Sequence, residues 1–475
     1  MRINDYGIPT QTRRKRQLQQ RILIAVSLIT IIAVCGTGAF LLKNKVTGKP
    51  SQNITLNTAN DGKPDNPSEA ESEQAEIILD SPDLQLIAQA DRLAAGYDYD
   101  SAIELLKTNE QYSSDPSVLE AISSYEAAKE TLVKADINKV THVFFHSLVV
   151  DNSKAFDGDV DTPGYNQVMT TVSEFNKILQ AMYDKGYVLV RLHDMAYETT
   201  DENGKTVMTP GNIMLPEGKI PFVMSQDDLC YYDYMHGDGF ATRMIIGADG
   251  KPTCEMEMED GTVSVGSYDL VPILEDFIQE HPDFSYQGAR AVLAFTGYQG
   301  ILGYRTAASY QNSPAYEQDR QEAAGVAQCL KENGWELASH SWGHLNMHDV
   351  NIKRFKADTD KWKNEVENLI GTTDIILYPF GSDVGDWRPY TSQNERFTYL
   401  YQAGFRYFCT VDSAQYWVQL GSDYLRQGRR NLDGYRMWKD ITAENPAKRR
   451  LDDLFRAEDI FDPDRPTPVP EMSGS

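Results

Sequence analysis

Two adjacent carboxylates follow a short apolar segment near the middle of the chain. Residues 220–224 have the length and composition of a buried strand, and they lead through two polar residues to Asp227 and Asp228. Barrel and open α/β enzymes place their catalytic groups where strands end. Because consecutive side chains of an extended chain point to opposite sides, the two carboxylates cannot serve one face together. One can therefore bind a metal while the other holds or deprotonates a water molecule.

A pair of histidines strengthens this interpretation, since an Asp-Asp pair alone is usually part of a solvated turn. His340 follows a predicted strand, and His344 lies four residues later, a spacing that puts two imidazoles on one side of a helical turn. Alone, such a spacing is more often two unconnected histidines. Together with Asp228, the pair forms a two-histidine, one-carboxylate set that suits a hydrolytic metal with open positions. His348 continues the spacing and is expected on a helix surface.

Two further histidines lie on the first predicted strand of this region. His146 ends that strand and is expected to reach the same rim, where histidine suits the role of a general acid near neutral pH. His142 lies four residues earlier, about 13 Å lower at about 3.3 Å per residue, so the two cannot serve one metal. We expect His142 to be a packed or bottom-face residue.

The elements that position these residues alternate between strand and helix after residue 138. Such alternation predicts an α/β domain whose parallel strands collect functional groups at their carboxyl ends. Two interruptions, residues 197–215 and 235–265, are expected to be excursions from this pattern. The predicted strands are residues 140–148, 187–192, 220–224, 290–296, 335–339, 375–379 and 405–411, and the helices are residues 167–185, 270–280, 316–333 and 353–369.

Four short motifs resemble those of the polysaccharide deacetylase family, the NodB-homology domain of carbohydrate esterases. Residues 225–229, Ser-Gln-Asp-Asp-Leu, resemble the first motif, usually Thr-Phe-Asp-Asp-Gly. Residues 340–344, His-Ser-Trp-Gly-His, match the second, and residues 378–381, Tyr-Pro-Phe-Gly, resemble the Pro-Tyr-Gly-like third. Residues 144–148, Phe-Phe-His-Ser-Leu, are similar to a branch whose acid histidine is permuted to the N-terminus. The resemblance covers roughly residues 138–440.

The resemblance implies an incomplete or distorted (β/α) barrel and a division of roles among the site residues. Carried over by position, the metal ligands are Asp228, His340 and His344, and the expected cofactor is a divalent metal, zinc by preference. Asp227 is the base, His146 the acid, and the backbone N–H of Phe380 helps to hold the oxyanion. Three aromatic residues join Phe380 as predicted substrate contacts. Their rings could stack on a sugar or could simply pack within the protein; they are Tyr378, Trp342 and Tyr232.

The sequence departs from the family pattern at three places, and the third bears on the base. Leu229 replaces the usual Gly, Phe380 replaces a Tyr, and no Arg precedes Pro379, where many members orient the base with one. The orientation of Asp227 is therefore unexplained by the motifs, and the substitutes considered are Arg191 and Arg388.

The N-terminal part of the chain predicts a membrane anchor. Residues 1–21 are basic, and residues 22–42 form an uncharged apolar span long enough to cross a bilayer. The basic side stays in the cytoplasm, so the rest of the chain is expected outside the cell as a single-pass membrane protein. A cleaved signal peptide is the rival interpretation.

The remaining segments are assigned from composition and periodicity. Residues 43–81 are a predicted disordered linker, and residues 82–136 a helical spacer that resembles a tetratricopeptide pair and could recruit a protein partner. Residues 138–460 are the predicted catalytic domain, and residues 461–475 a disordered tail. The net charge of −25 argues against nucleic acid as a partner. The cysteines are scattered, which leaves two disulfides open but predicts no framework.

Together these features predict a membrane-anchored, metal-dependent hydrolase of non-peptide carbon–nitrogen bonds. Its expected substrate is acetylated glycan, from which it removes N-acetyl groups of N-acetylglucosamine-type sugars in cell-wall or extracellular polysaccharide. The alternatives are an O-acetyl esterase or another amide hydrolase, and a glycan-binding protein without catalysis. The complete set of polar site residues argues against the last.

Overall fold

The computed structural model describes residues 82–472, which alternate between strands and helices as predicted after residue 138. The strands are β1 (Val133–Lys134), β2 (Thr141–Phe145), β3 (Tyr187–Leu189), β4 (Ala196–Thr200), β5 (Thr206–Pro210), β6 (Met214–Leu215), β7 (Ile220–Gln226), β8 (Arg243–Ile246), β9 (Pro252–Glu257), β10 (Val263–Gly266), β11 (Val292–Phe295), β12 (Glu336–Ser339), β13 (Ile375–Leu377), β14 (Tyr407–Val411), β15 (Val418–Leu420) and β16 (Leu425–Asn431). The α-helices are α1 (Pro82–Ala95), α2 (Tyr99–Leu106), α3 (Pro116–Glu130), α4 (Asn152–Ala155), α5 (Thr162–Val168), α6 (Val172–Asp184), α7 (Leu270–Glu280), α8 (Tyr316–Glu332), α9 (Ile352–Trp362), α10 (Asn368–Ile370), α11 (Glu395–Gln402), α12 (Gly434–Ile441) and α13 (Ala457–Ile460).

Seven parallel strands close into a barrel. They are hydrogen-bonded in the order β11, β12, β13, β14, β16, β2 and β7, and β7 pairs back to β11. Closure is possible because β7 is long enough to have two neighbours on one side. Its first residues pair with β3, and Ser225 and Gln226 pair with β11. The predicted (β/α) barrel is confirmed, and its ring is closed where we expected it to be incomplete.

The alternation of β7 determines which residues face the barrel interior. Phe222 and Met224 pack in the cluster that includes helix α6, whereas Val223 belongs to an inner cluster shared with neighbouring strands. Side chains two residues apart lie on the same side of a strand. Ser225 and Asp227 therefore follow Val223 toward the interior, where both contact residues of β16.

The two predicted interruptions form small antiparallel units outside the barrel. The first contains the β4–β5 hairpin, and the second contains the three-stranded sheet of β8, β9 and β10. β15 pairs antiparallel with β16. Within residues 82–472 the cysteines are free and buried, so the structure contains neither of the disulfides left open above; they are Cys230, Cys254, Cys329 and Cys409.

Helices α1 to α3 form a small core of their own that packs on the barrel through Tyr97. The Tyr97 hydroxyl donates to the Asp283 carbonyl at 2.9 Å, and its ring lies against Tyr286, with 6.4 Å between ring centroids. The Gln287 amide also donates to the Gly96 carbonyl at 2.7 Å. The predicted helical spacer is thus helical and docked on the barrel. These contacts do not support a tetratricopeptide repeat or a protein partner.

The C-terminal residues 461–472 pack back onto the barrel, although we expected residues 461–475 to be disordered. Asp462 and Arg465 are buried, and both contact the segment around helix α6. Polar contacts hold this segment against the barrel, and the hydropathy of a sequence does not reveal contacts of that kind.

The predicted location in the cell membrane is corrected by the structure. Across residues 82–472, no helix combines the length and the apolar character needed to cross a bilayer. A single-pass membrane protein is therefore not supported. The predicted cytoplasmic tail, anchor and linker, residues 1–81, lie outside the described part of the chain.

Candidate active site

Asp227 and Asp228 lie at the carboxyl end of β7, where the strand alternation is broken. Continued alternation would send Asp228 away from the barrel mouth. Instead its backbone has φ of 57°, in the left-handed region that non-glycine residues rarely occupy. This turn brings the Asp228 carboxylate to the two predicted histidines. His344 and Phe380 also have positive φ, 50° and 58°. Such strained backbone conformations persist only where the surrounding structure holds them in place. They are concentrated at functional sites.

The three predicted metal ligands come together at this end of the barrel. Asp228 Oδ2 lies 3.5 Å from His344 Nε2 and 4.0 Å from His340 Nε2. One ligand atom from each residue lies within 4.8 Å of the others, and all three residues are buried. Donor atoms that are each about 2.0–2.2 Å from one ion lie within about 4.4 Å of one another, and the distances from Asp228 to the two histidines, 3.5 Å and 4.0 Å, are within that limit.

The protonation of His340 favours metal binding. Its Nδ1 lies 2.7 Å from the Leu377 carbonyl oxygen, which can only accept, so Nδ1 carries the hydrogen and Nε2 presents its lone pair. Burial lowers the pKa of His340 to about 4, against the opposing effect of Asp227 and Asp228. The ring is therefore neutral near neutral pH. Two imidazole nitrogens and one carboxylate oxygen are the donor set of many zinc hydrolases, so these residues fit the expected divalent metal.

Asp227 is held by an arginine that the sequence analysis did not identify. Arg429 of β16 donates from Nη1 to Asp227 Oδ1 at 2.6 Å, and both side chains are buried. Burial raises the pKa of Asp227, but the Arg429 guanidinium, with smaller effects of His340 and His146, outweighs it and leaves the pKa below its usual value. Asp227 Oδ2 lies 3.9 Å from His340 Nε2. The carboxylate is thus ionised, oriented and adjacent to the candidate metal ligands.

The two substitutes considered for the missing arginine lie elsewhere. Arg191 donates to the Gln287 carbonyl, and Arg388 is 70% exposed and pairs with Asp386. Arg429 was missed because the segment containing β16 is strongly polar and did not match an apolar strand. The side of β16 that faces the barrel interior carries Gln427 and Arg429, and the outer side carries charged residues as well.

A polar layer continues below Asp227 inside the barrel. Arg429 Nη1 also donates to Ser225 Oγ at 3.2 Å, and Ser225 Oγ lies 3.0 Å from His142 Nε2. The other His142 nitrogen lies 3.1 Å from Gln427 Oε1. The expected packed position of His142 therefore has a specific environment, and burial holds its pKa well below the ordinary value.

His146 follows β2 and lies on the same rim, as predicted. Its Nδ1 donates to the Val168 carbonyl at 3.1 Å, which leaves Nε2 as the nitrogen that can gain or lose a proton. The ring is partly buried, and electrostatic interaction with it is one of the smaller causes of the lowered pKa of Asp227. Its role as general acid stays a prediction. His348 is partnered with the Asp383 carbonyl on the surface.

The four predicted substrate residues occupy different environments. Phe380 is 58% exposed, and its ring centroid lies 4.4 Å from that of His344 with the planes near perpendicular. Trp342 is half-buried under Lys361 and donates from Nε1 to Glu365. Tyr378 is fully buried. Its hydroxyl lies 3.1 Å from that of Tyr390. Tyr232 is buried against Asp228, so Phe380 is the member of this set that lies on the open rim.

Comparison with known proteins finds similarity only among solved structures, since no family model and no curated protein matches the sequence. The Streptococcus pyogenes deacetylase PplD, in complex with acetate, is 12% identical with a TM-score of 0.33, covering 63% of this chain and 93% of that chain. A Bacillus anthracis protein described as a polysaccharide deacetylase, BA0330, is 11% identical with a TM-score of 0.32, covering 63% and 65%. The α-N-acetylgalactosaminidase NagBb of Bifidobacterium bifidum is 13% identical with a TM-score of 0.22, covering 70% and 53%. None of these similarities establishes a family for this chain.

Proposed function

We propose that this protein is a metal-dependent deacetylase that hydrolyses the acetyl amide of an acetylated glycan. The observation that carries the proposal is the buried set of Asp228, His340 and His344 beside an ionised Asp227, at the carboxyl end of a parallel barrel. Asp228, His340 and His344 would hold a divalent ion such as zinc. When bound, that ion supplies Lewis-acid polarisation of the acyl carbonyl.

The remaining steps are carried by side chains of this chain. Arg429 holds Asp227 with one oxygen engaged, and Asp227 accepts a proton from the attacking water as the new carbon–oxygen bond forms. The carbon–nitrogen bond then breaks, acetate is released, and the departing amine takes a proton from His146 Nε2. The Phe380 amide is the proposed donor to the developing oxyanion.

The rim supports a sugar polymer as the substrate class. Phe380 and Trp387 expose 58% and 73% of their surfaces, and both lie in the segment that follows β13. Exposed aromatic rings at an open rim offer apolar faces against which pyranose rings can stack. An acetylated glycan containing N-acetylglucosamine-type sugars therefore fits both the rim and the acyl chemistry of the site.

The two aspartates provide the test, because their proposed roles differ. Asp228→Asn replaces an anionic ligand with a neutral amide and should weaken metal binding. Asp227→Asn should retain the metal and a folded, though less stable, protein, because Arg429 loses its anionic partner. It should lower acetate release by about a hundred- to ten-thousand-fold, since an amide cannot accept the water proton. The measurements are metal content and acetate release from acetylated chitooligosaccharides.

Three results would contradict the proposal. A parent protein that binds metal but releases no acetate would favour a glycan-binding protein. Release from O-acetylated but not N-acetylated sugars would favour the esterase. Equal effects of the two substitutions on metal content would overturn the division of roles between the aspartates.

A further inference from the structure

The phenol of Tyr232 occupies a place that its predicted role on the substrate rim does not explain. Tyr232 lies in the loop after β7 and is 2% exposed. Its ring is stacked between those of Tyr298 and Tyr234, with centroids 5.1 Å and 5.5 Å away and planes within 15° of parallel. The ring therefore has little freedom to turn, and its hydroxyl is aimed at one point.

That point is the candidate metal ligand Asp228. The Tyr232 hydroxyl lies 2.5 Å from Asp228 Oδ1 and 2.6 Å from the Thr296 hydroxyl. An ionised carboxylate can only accept, so Tyr232 donates its hydrogen to Asp228. The phenol has no second hydrogen, so Thr296 must donate to it. The Thr296 oxygen, 3.2 Å from the Cys230 sulfur, can in turn accept from that thiol.

The direction of these hydrogen bonds assigns different tasks to the two oxygens of Asp228. Oδ1 is engaged by Tyr232, and Oδ2 is the oxygen that lies near His344 and His340. An aspartate whose second oxygen is held in this way presents a single ligand atom in a defined direction. Donors in line also polarise one another, which strengthens the final bond to the carboxylate.

We propose that Tyr232, supported by Thr296, is a positioning residue for the metal centre, fixing Asp228 so that Oδ2 alone serves as the ligand. This inference rests on the proposed function, because it assumes that Asp228, His340 and His344 bind a metal. Hydrogen-bond partners of metal ligands are worth about 10- to 100-fold in metal affinity or activity. Tyr232 thereby contributes to metal affinity without touching the metal or the substrate.

The test compares the zinc affinity of the full-length protein and three variants, measured after metal removal by competition with a chromophoric chelator. Tyr232→Phe keeps the ring stack and removes the hydroxyl, so its dissociation constant should rise by about 10- to 100-fold. Thr296→Val keeps the Tyr232 hydroxyl but removes its donor, so a smaller rise is expected. Tyr407→Phe is the matched control, because its buried hydroxyl donates to the Ala196 carbonyl at 2.6 Å at the opposite end of the barrel. Its affinity should equal that of the parent.

The outcomes separate this inference from the proposed function. A parent protein without measurable zinc affinity would refute the metal centre itself. A parent that binds zinc, together with unchanged affinity in Tyr232→Phe, would refute the positioning role alone. If Tyr232→Phe does not fold, Thr296→Val decides, and unchanged affinity in that variant overturns the inference. A loss of affinity that Tyr407→Phe shares would show general destabilisation and would also overturn it.

Discussion

The pair of Asp227 and Arg429 places two charges in the barrel interior, largely removed from solvent. The Arg429 side chain is fully buried, and the Asp227 side chain is 4% exposed. Removing two charges from water costs several kcal/mol per ion, so such a pair is weak evidence for stability. Its value here is orientation, because the guanidinium engages one oxygen of Asp227 and leaves the other facing His340. The proposed role of Asp227 as a base needs that fixed direction.

Arg429→Met tests this account at the scale of one residue. It removes the partner of a buried carboxylate, so the free energy of unfolding should fall by about 3–5 kcal/mol, measured by urea denaturation. The double variant Arg429→Met with Asp227→Asn has no unpaired anion and should recover part of that loss. If the losses of the two single variants simply add in the double variant, the pair is not coupled and the account is wrong.

The strand that carries Arg429 buries three ion-paired arginines beside a single apolar side chain, Leu425. On the outer side of β16, Arg426 pairs with Asp383 at 2.8 Å, and Arg430 pairs with Asp453. On the inner side Arg429 pairs with Asp227. Each carboxylate comes from a different part of the chain, so the three ion pairs join β16 to three separate segments.

The loop after β3 is a second element held by charge, at the amino end of the barrel strands. The His193 ring bridges Glu336, the first residue of β12, and Asp374, which precedes β13; its Nε2 lies 3.0 Å from Asp374 Oδ1. Burial by itself lowers the pKa of His193, but the hydrogen bonds to Asp374 and Glu336 outweigh it and raise the pKa to about 10. The doubly protonated ring therefore clamps two strands to this loop at neutral pH.

His193→Gln removes the charged ring, so its effect on the free energy of unfolding should depend on pH. Because the folded pKa is raised from 6.5 to about 10, the stabilisation is complete below pH 6.5 and is lost as the pH rises through 10. Parent and variant should therefore differ most in free energy of unfolding at pH 6, less at pH 8, and least above pH 10. Urea denaturation at these pH values measures the difference. A difference that stays constant across them would mean that the charge of the ring does not matter.

At the scale of the whole molecule, the C-terminal segment joins the end of the chain to the start of the barrel. Arg465 and Glu174 are both fully buried and lie 2.6 Å apart, and Arg465 also donates to the carbonyls of Asn166 and Met169. Glu174 completes the capping box of helix α6 with Thr171. One arginine thus connects the tail to helix α6, which lies between β2 and β3 in the chain.

The contacts of the same tail offer a matched pair of substitutions, one at a buried ion pair and one at an exposed ion pair. Arg465→Met leaves Glu174 buried without its partner and should lower the free energy of unfolding by about 3–5 kcal/mol. Lys439→Met removes the exposed ion pair with Glu471, 2.9 Å apart, and should cost less than about 1 kcal/mol. Thermal and urea unfolding of both variants measure the difference. Similar losses in the two variants would mean that the buried pair does not hold the tail.

Features set by near neighbours could be predicted from the sequence. The apolar segment of β7 runs directly into Asp227 and Asp228, and His340 follows the short apolar strand β12. The spacing of His340 and His344 is likewise local. A strand end is defined by a few consecutive residues, so the carboxylates and histidines of the candidate metal centre could be named before their distances were known.

Only the tertiary structure decided the features that depend on partners distant in sequence. Arg429 is 202 residues from Asp227, and its strand has no apolar pattern because carboxylates from other elements neutralise it. The aromatic side chain of Tyr232 predicts a contact with substrate at the rim of the barrel. In the structure Tyr232 is buried and is hydrogen-bonded to Asp228. A residue type limits what a side chain can do, whereas its burial and partners are properties of the closed barrel.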